Sequence, residues 1–259
     1  MKKKLRIAPL PEKSGFAVIL AILIDKIRKN WHYNDMLHHV TYKKFAFTLA
    51  EVLITLGIIG VVAALVLPSA INGYQKRTYA TKVKYAYTIF SNAFIMAEQE
   101  HGDPTEWDWD NVNYSFDGTK HMVETYILPY VNVVETSSYG NNMVAQIKNG
   151  TTFMFFLDGC ISDSCEPKVI NSLYIIGSTK GIVSTMGDER RDYSRSDFIM
   201  QFSKTNKKLI FFNWGGSKRE EIKNNSIYAC NKNTEKNRRY NCGALLQMDG
   251  WEIKNDYPW

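Results

Sequence analysis

The sequence predicts an α+β protein in which a long N-terminal hydrophobic helix continues as an amphipathic helix packed on an antiparallel sheet. Three patterns predict this layout. An apolar run spans residues 47–67, apolar residues then recur every three or four positions to residue 97, and short strand-like runs separated by turn residues follow. We therefore expect a leader (1–46), a transmembrane helix (47–67), its amphipathic continuation (68–102) and a globular extracytoplasmic head (103–259).

The apolar run is long enough to cross a membrane but carries one acid, Glu51. Residues 47–67 contain no Lys, Arg, Asp or His, and as a helix they rise about 32 Å, close to the thickness of the hydrocarbon core. A carboxylate there costs on the order of 3 kcal/mol, so Glu51 is expected to have a positive partner. A cut between Ala46 and Phe47 would supply one, since the new amine would lie one turn from Glu51 of its own or a neighbouring chain.

The residues around this bond carry a family resemblance. Lys43-Lys44-Phe45-Ala46, followed by Phe47-Thr48-Leu49-Ala50-Glu51 and the apolar run, resembles the processing site and helix of type IV prepilins and type II secretion pseudopilins. The resemblance implies that a prepilin peptidase cleaves before Phe47 and methylates it, and that Glu51 supports ordered assembly of subunits. Ala46 departs from the family pattern, which usually has Gly before the cut.

Three further residues agree with the resemblance. Gly57 and Gly60 are expected to loosen the helix, and Pro68 stands where family members often carry a helix-bending proline. Two simpler explanations of the apolar run remain: an ordinary single-pass anchor, and a secretory signal. A signal fits less well, because the run exceeds a typical signal core and no small-x-small cleavage site follows before Pro68.

Charge is divided unevenly at Phe47. Residues 1–46 hold ten of the 32 Lys and Arg and three of the 26 acids, which leaves 22 bases against 23 acids in the remainder. The excess charge therefore lies in the leader, and this disfavours nucleic acid as a partner of the mature chain. The leader is long for a prepilin, and its own apolar run, residues 16–24, is too short to span a bilayer. Initiation at Met36 would leave a short basic leader.

After Pro68 the chain is expected to remain helical until Gly102 and Pro104 end the helix. A short helix around residues 120–128, ended by Pro129, and another around 243–248 are also predicted. The expected strands are Met143–Lys148, Thr151–Leu157, Leu173–Ile176, Phe198–Ser203 and Lys208–Asn213. Asn149-Gly150 predicts a hairpin between the first two strands, and residues 204–207 predict a second hairpin between the last two.

Four cysteines fall in the head: Cys160, Cys165, Cys230 and Cys242. Three pairings are possible, and we favour the two local ones, Cys160 with Cys165 and Cys230 with Cys242. The spacings do not form the two tight pairs typical of a zinc site.

No cofactor is expected, although calcium stays open as an alternative. Its candidate ligands are Asp158, Asp163 and Glu166, or else Asp188, Glu189 and Asp192, but neither set has an EF-hand pattern. Enzyme motifs such as Gly-x-Ser-x-Gly, a phosphate-binding glycine loop and His-Glu-x-x-His are absent from the sequence. We therefore expect no catalysis.

The resulting hypothesis is a structural subunit of a type II secretion pseudopilus or a type IV pilus-like filament. The resemblance implies a prepilin peptidase, other subunits, an assembly platform and the bacterial inner membrane as partners, with the filament in the periplasm or at the cell surface. One alternative is a membrane-anchored binding or adhesion module that does not polymerise. Another is a competence pilin that takes up DNA, for which Lys204, Lys207, Lys208, Lys218 and Arg219 are a candidate basic patch.

Overall fold

The structure is a computed structural model that describes residues 48–109, 116–160, 169–224 and 226–259, apart from the side chains of residues 159, 160 and 169. The predicted leader, Ala46 and Phe47 therefore lie outside the described residues. Among the described residues, those up to residue 59 belong to one compact unit and those from residue 60 onward belong to another.

The described part is α+β, as predicted. Helices are α1 (Leu49–His101), α2 (Phe116–Tyr126), α3 (Arg219–Asn224) and α4 (Cys242–Met248). Strands are β1 (Val133–Tyr139), β2 (Asn142–Ile147), β3 (Thr152–Cys160), β4 (Val169–Ser178), β5 (Asp197–Ser203) and β6 (Lys208–Phe211). The strands form one antiparallel sheet in the order β1-β2-β3-β4-β5-β6.

Helix α1 ends where the sequence predicts. Gly102 adopts a positive φ of 79°, which glycine tolerates without steric cost, and its N–H donates to the Glu98 carbonyl over 3.0 Å. Asp103 then accepts a hydrogen bond from the Thr105 N–H and caps a short 3₁₀ turn that begins at Pro104.

The second half of α1 supplies one side of the main core. Of the periodic residues predicted from the sequence, Tyr87 is half-buried and the others are buried: Tyr79, Val83, Ala86, Phe90, Ala93, Phe94 and Ala97. Ala80, which was not predicted, is buried as well. Phe94 stacks on Phe202 of β5 with ring centroids 3.9 Å apart, and Phe90 meets Phe153 of β3 edge-on at 4.8 Å. Such contacts bury large apolar surfaces in defined geometries, so they fix α1 against the sheet.

The other face of the sheet is also covered. Alternate residues of β3 point to opposite faces, so that Phe153 and Phe155 join the α1 core while Met154 joins a second cluster with Tyr193 and Tyr240. The segments around residues 183–196 and 228–240 form this second layer. As a result, strands β3, β4 and β5 are apolar on both faces, which is why they lack a simple alternating pattern.

A buried ion pair anchors the second layer. Arg191 and Asp197 have fully buried side chains, and Arg191 Nη1 lies 2.9 Å from Asp197 Oδ1. Arg191 also donates to the Ser184 and Thr185 carbonyls, and the Asp192 N–H and Ser196 hydroxyl donate to Asp197 Oδ2. These partners satisfy the charges that burial would otherwise penalise.

Several predicted bounds were wrong. Strand β1 and helix α3 were not foreseen: β1 is exposed along most of its length, and α3 has six residues, too few to show a helical period. Helix α2 begins four residues earlier than expected, and Pro129 lies within a 3₁₀ turn, Leu128–Tyr130, rather than directly ending that helix. Strand β4 extends beyond the predicted Leu173–Ile176 at both ends.

Candidate functional site: the exposed apolar helix

The first half of α1 exposes a continuous apolar surface. Its most apolar 18-residue window has a mean hydropathy of 2.5, and none of it is buried. Leu49, Val61 and Leu65 are 78%, 64% and 76% exposed. Within the described residues, α1 is the one helix long and apolar enough to cross a membrane. Soluble proteins rarely leave so large an apolar surface uncovered, so lipid or other helices are expected to cover it.

The N-terminus of α1 is closed by a reciprocal pair of hydrogen bonds between Thr48 and Glu51. The Thr48 N–H donates to Glu51 Oε2 over 2.9 Å, and the Glu51 N–H donates to Thr48 Oγ1 over 3.2 Å. The Thr48 hydroxyl also donates to Oε2 over 3.0 Å. This is a capping box, in which two otherwise unpaired N–H groups of the helix start are satisfied.

The capping box was not predicted, because Glu51 was expected to have only a positive partner. Its signal was present, because Thr48-Leu49-Ala50-Glu51 fits the pattern Ser/Thr-x-x-Glu. The box holds Glu51 Oε2 at the Thr48 N–H and hydroxyl, one residue after Phe47 in the sequence. Phe47, like Ala46, lies outside the described residues.

The residues predicted to loosen the helix lie within it. Helix α1 continues through Pro68, which cannot donate the usual hydrogen bond to the carbonyl of Ala64. Gly57 and Gly60 have no atom within 4 Å of the position that a Cβ would occupy. Packing in the described structure therefore does not require glycine at either position.

One disulfide is described in the head. Cys230 and Cys242 are bonded, with their Cα atoms 4.8 Å apart and both residues fully buried. This is one of the two local pairings favoured from the sequence, and it ties the segment before α4 to the first residue of that helix. Cys165 and the side chain of Cys160 lie outside the described residues.

The calcium candidates do not converge in the part of the chain that the structure describes. No group of three His, Cys, Asp or Glu side chains there is arranged to hold a metal ion. Asp188 instead forms a two-point ion pair with Arg190, whose hydrogen bonds lower the pKa of Asp188 to about 2. Asp192 accepts hydrogen bonds from the Ser194 N–H and hydroxyl. Asp163 and Glu166 lie outside the described residues.

Two members of the candidate basic patch are paired with acids. Lys207 Nζ lies 2.6 Å from Asp103 Oδ2. Arg219 makes two hydrogen bonds with each of Asp249 and Asp256, at 2.7 to 2.9 Å. These hydrogen bonds hold the pKa of Asp256 well below its ordinary value. Lys207 and Arg219 therefore stabilise the head and contribute less positive charge to a nucleic-acid surface than the sequence suggested.

The second layer of the head contains an open aromatic pocket of about 360 Å³. Its lining residues are Phe156, Asp158, Tyr174, Met186, Phe212, Trp214, Tyr228 and Tyr240. Phe156 stacks on Tyr174 with centroids 4.9 Å apart, and Tyr228 stacks on Tyr240 at 4.6 Å. Trp214 is 64% exposed at its edge. Concave apolar surfaces of this size are suited to bind a ligand or a partner side chain.

Comparisons with known proteins place the head in a family. No curated protein and no solved structure matches the chain. The sequence model of one family does match, and it covers residues 69–259, which include the amphipathic part of α1 and the whole described head but not the apolar run. The chain belongs to this family of unknown function, DUF6613.

Proposed function

We propose that this chain is a prepilin or pseudopilin subunit that assembles through α1 into a type II secretion pseudopilus or a type IV pilus-like filament. The observation that carries the proposal is the division of α1, which is fully exposed and apolar at its start and buried against a six-stranded sheet toward its end. A single helix with these two environments fits a subunit that is stored in a bilayer and later packed among other helices.

The N-terminal chemistry supports the same proposal. In the uncut chain the capping box occupies the Glu51 carboxylate. Cleavage between Ala46 and Phe47 would leave the Phe47–Thr48 peptide bond intact and so keep the Thr48 N–H. The new amine would then belong to the residue directly before Thr48, whose N–H donates to Glu51 Oε2. Glu51 is thereby positioned to pair with the amine of its own chain or of a neighbour.

The driving force for assembly follows from the exposed surface. Residues 49–67 would leave lipid for a bundle of similar helices, where apolar packing replaces lipid contact and Glu51 pairs with an amine rather than remaining alone in hydrocarbon. The head would stay outside the bundle. The chain would therefore reside in the bacterial inner membrane before assembly and in the periplasm or at the cell surface afterwards.

The decisive experiment is to express the full chain with its cognate prepilin peptidase and to determine the N-terminal sequence and mass of the membrane-bound product. A product that begins with N-methylated Phe47 is the expected result. A product that begins at Met1 or Met36 would contradict the proposal. A control without the peptidase must keep the leader.

A second candidate function is a membrane-tethered binding module that does not polymerise. The aromatic pocket of the head favours it, because rings from β3, β4 and the segment after β6 form a concave surface with one carboxylate, Asp158, at its edge. Retention of residues 1–46 in the mature protein, together with an absence of filaments, would select this function over the first.

A further inference from the structure

A basic pocket lies where the head meets α1, a few turns beyond the apolar run. It has a volume of about 280 Å³. Helix α1 contributes Tyr74, Gln75, Thr78, Tyr79 and Lys82, and the head contributes Thr179, Lys180, Arg195 and Trp259. The lining therefore includes three positive side chains and no acidic side chain.

In the described part of the chain, the three bases of the pocket lack the carboxylate partners that Arg191 and Arg219 have. Among the described residues, no acid lies within ion-pair distance of Lys82, Lys180 or Arg195, whereas Arg191 and Arg219 have carboxylate partners at 2.7 to 2.9 Å. Three like charges around one pocket repel each other. An anion in the pocket would relieve this repulsion, so the site is complementary to a negatively charged group.

Trp259 gives the pocket a defined shape. Its indole Nε1 donates to Asn72 Oδ1 on α1, and its ring lies 6.0 Å from that of Tyr79. The Arg195 guanidinium lies 5.6 Å from the centre of the same ring, within cation–π range. Arg195 is thus held over the pocket by an aromatic ring rather than by a carboxylate, which leaves its hydrogen-bond donors available to a ligand.

The position along α1 indicates where the ligand comes from. Asn72 follows Leu67 by five residues, a rise of about 7.5 Å, and Lys82 follows it by 15 residues, about 22 Å. Exposed Tyr74 and the bases Lys76 and Arg77 lie between them. Tyr and Trp concentrate at both membrane–water interfaces, and long Lys and Arg side chains near the end of a span reach toward the headgroups.

We propose that this pocket binds the phosphate of an acidic phospholipid headgroup and so holds the base of the head on the membrane surface before assembly. This inference rests on the membrane-anchored state in the proposed function, but not on cleavage or polymerisation. Lys82, Lys180 and Arg195 surround the phosphate, and Trp259 and Tyr74 lie at the level of the headgroups. Extraction of the subunit from the membrane would then require release of the lipid.

The test uses the full-length chain in an uncharged detergent, titrated with dioctanoyl phosphatidylglycerol, dioctanoyl phosphatidylcholine and inorganic phosphate while binding is measured by calorimetry. Phosphatidylglycerol is expected to bind most tightly. The double variant Lys82→Gln, Arg195→Gln should weaken its binding by roughly 30-fold, as expected for the loss of two charges near a lipid surface. The matched control, Lys232→Gln with Lys236→Gln, removes the same charge from two side chains that do not line the pocket and should leave binding unchanged.

Four results would overturn the inference. They are equal affinity for phosphatidylcholine, inorganic phosphate binding as tightly as the lipid, an equal loss of binding in the control variant, and absence of measurable phosphatidylglycerol binding. Glu51→Ala separates this outcome from that of the proposed function, because the variant should bind the lipid normally even though it is expected not to assemble. Conversely, lipid binding to the pocket can still be measured with a chain that is never cut before Phe47.

Discussion

The Thr48 N–H and the Thr48 hydroxyl both donate to Oε2 of Glu51, over 2.9 and 3.0 Å, at the start of a helix whose next turns are wholly exposed and apolar. Glu51 therefore has two possible roles. It is the final acceptor of a capping box, and it is the one charge in a span of membrane length. The two roles require different properties of Glu51. Capping requires only an acceptor atom, whereas pairing with an amine requires a negative charge.

Substitutions at the two capping residues separate the roles. Glu51→Gln retains an acceptor that can complete the box but removes the charge, so we expect membrane insertion to persist and filament formation to fail. Glu51→Ala should behave in the same way. Thr48→Ala keeps the charge and loses the cap at a cost of about 1 kcal/mol, and it should still form filaments. Electron microscopy with quantification of sheared filaments measures the outcome, and the reverse pattern would assign Glu51 a capping role alone.

The ion pairs of Arg219 should contribute stability that is lost in acid. Arg219 joins α3 to Asp249 and Asp256, and Arg219→Gln is expected to lower the free energy of unfolding by about 2 kcal/mol at pH 7. Hydrogen bonds from Arg219 and Lys223 hold the pKa of Asp256 below its ordinary value. The contribution is therefore complete above about pH 5, where the unfolded carboxyl is almost fully ionised, and declines as pH falls toward the lower folded pKa.

Urea unfolding of both forms between pH 7 and pH 2.5 measures this difference, which should shrink at the acidic end. Arg238→Gln is the matched control. Its partner Glu235 lies 3.9 Å away and both side chains are more than half exposed, so the expected loss is below about 0.5 kcal/mol. A difference between wild type and Arg219→Gln that grows in acid would contradict the prediction.

The disulfide Cys230–Cys242 should stabilise the head through the loop it closes. The cysteines are 12 residues apart, and in the chain-entropy account a loop of this length contributes about 3 kcal/mol. The double variant Cys230→Ala, Cys242→Ala is expected to unfold at a correspondingly lower urea concentration. Wild type and variant are compared without reductant, so that any other thiol chemistry is the same in both. An unchanged midpoint would show that the closed loop does not stabilise the head.

Gly177 of β4 should not tolerate a side chain. It pairs directly with Phe198 of β5, and a Cβ at this position would overlap the Phe198 ring. We expect Gly177→Ala to cost about 1–3 kcal/mol through overpacking. Gly73→Ala is the control, since no atom lies within 4 Å of its added Cβ and alanine favours a helix by about 1 kcal/mol.

The cause of that loss is tested by a second substitution. Phe198→Leu shortens the side chain that the new methyl group meets, so adding it to Gly177→Ala should cost less than the sum of the two single changes. Thermal unfolding followed by circular dichroism is sufficient to measure the set. If the losses in free energy of unfolding are strictly additive, the destabilisation does not arise from contact with the Phe198 ring.

Local patterns predicted a large part of the fold. Helix α1 was predicted because Tyr79, Val83, Ala86 and Phe90 repeat with the helical period, and its end because Gly102 suits a positive φ. Strand β1 was missed because it is mostly exposed and has no apolar alternation. Helix α3 was missed because six residues are too few to show a helical period, and its ion pairs are made with residues 249 and 256, which are distant in the sequence.

The sequence by itself determined what can be encoded within a few turns or one strand: the apolar run, the capping pattern of Thr48 and Glu51, the buried face of α1 and the hairpins. Tertiary structure alone decided which charges pair and which do not. Arg219 and Lys207 form ion pairs with aspartates. Lys82, Lys180 and Arg195 instead line one pocket that has no acidic side chain in its lining. The physical reason is that helix caps, hairpin turns and apolar periodicity depend on residues that are close in the sequence. The ion pairs and the pocket depend on residues that come together only after folding.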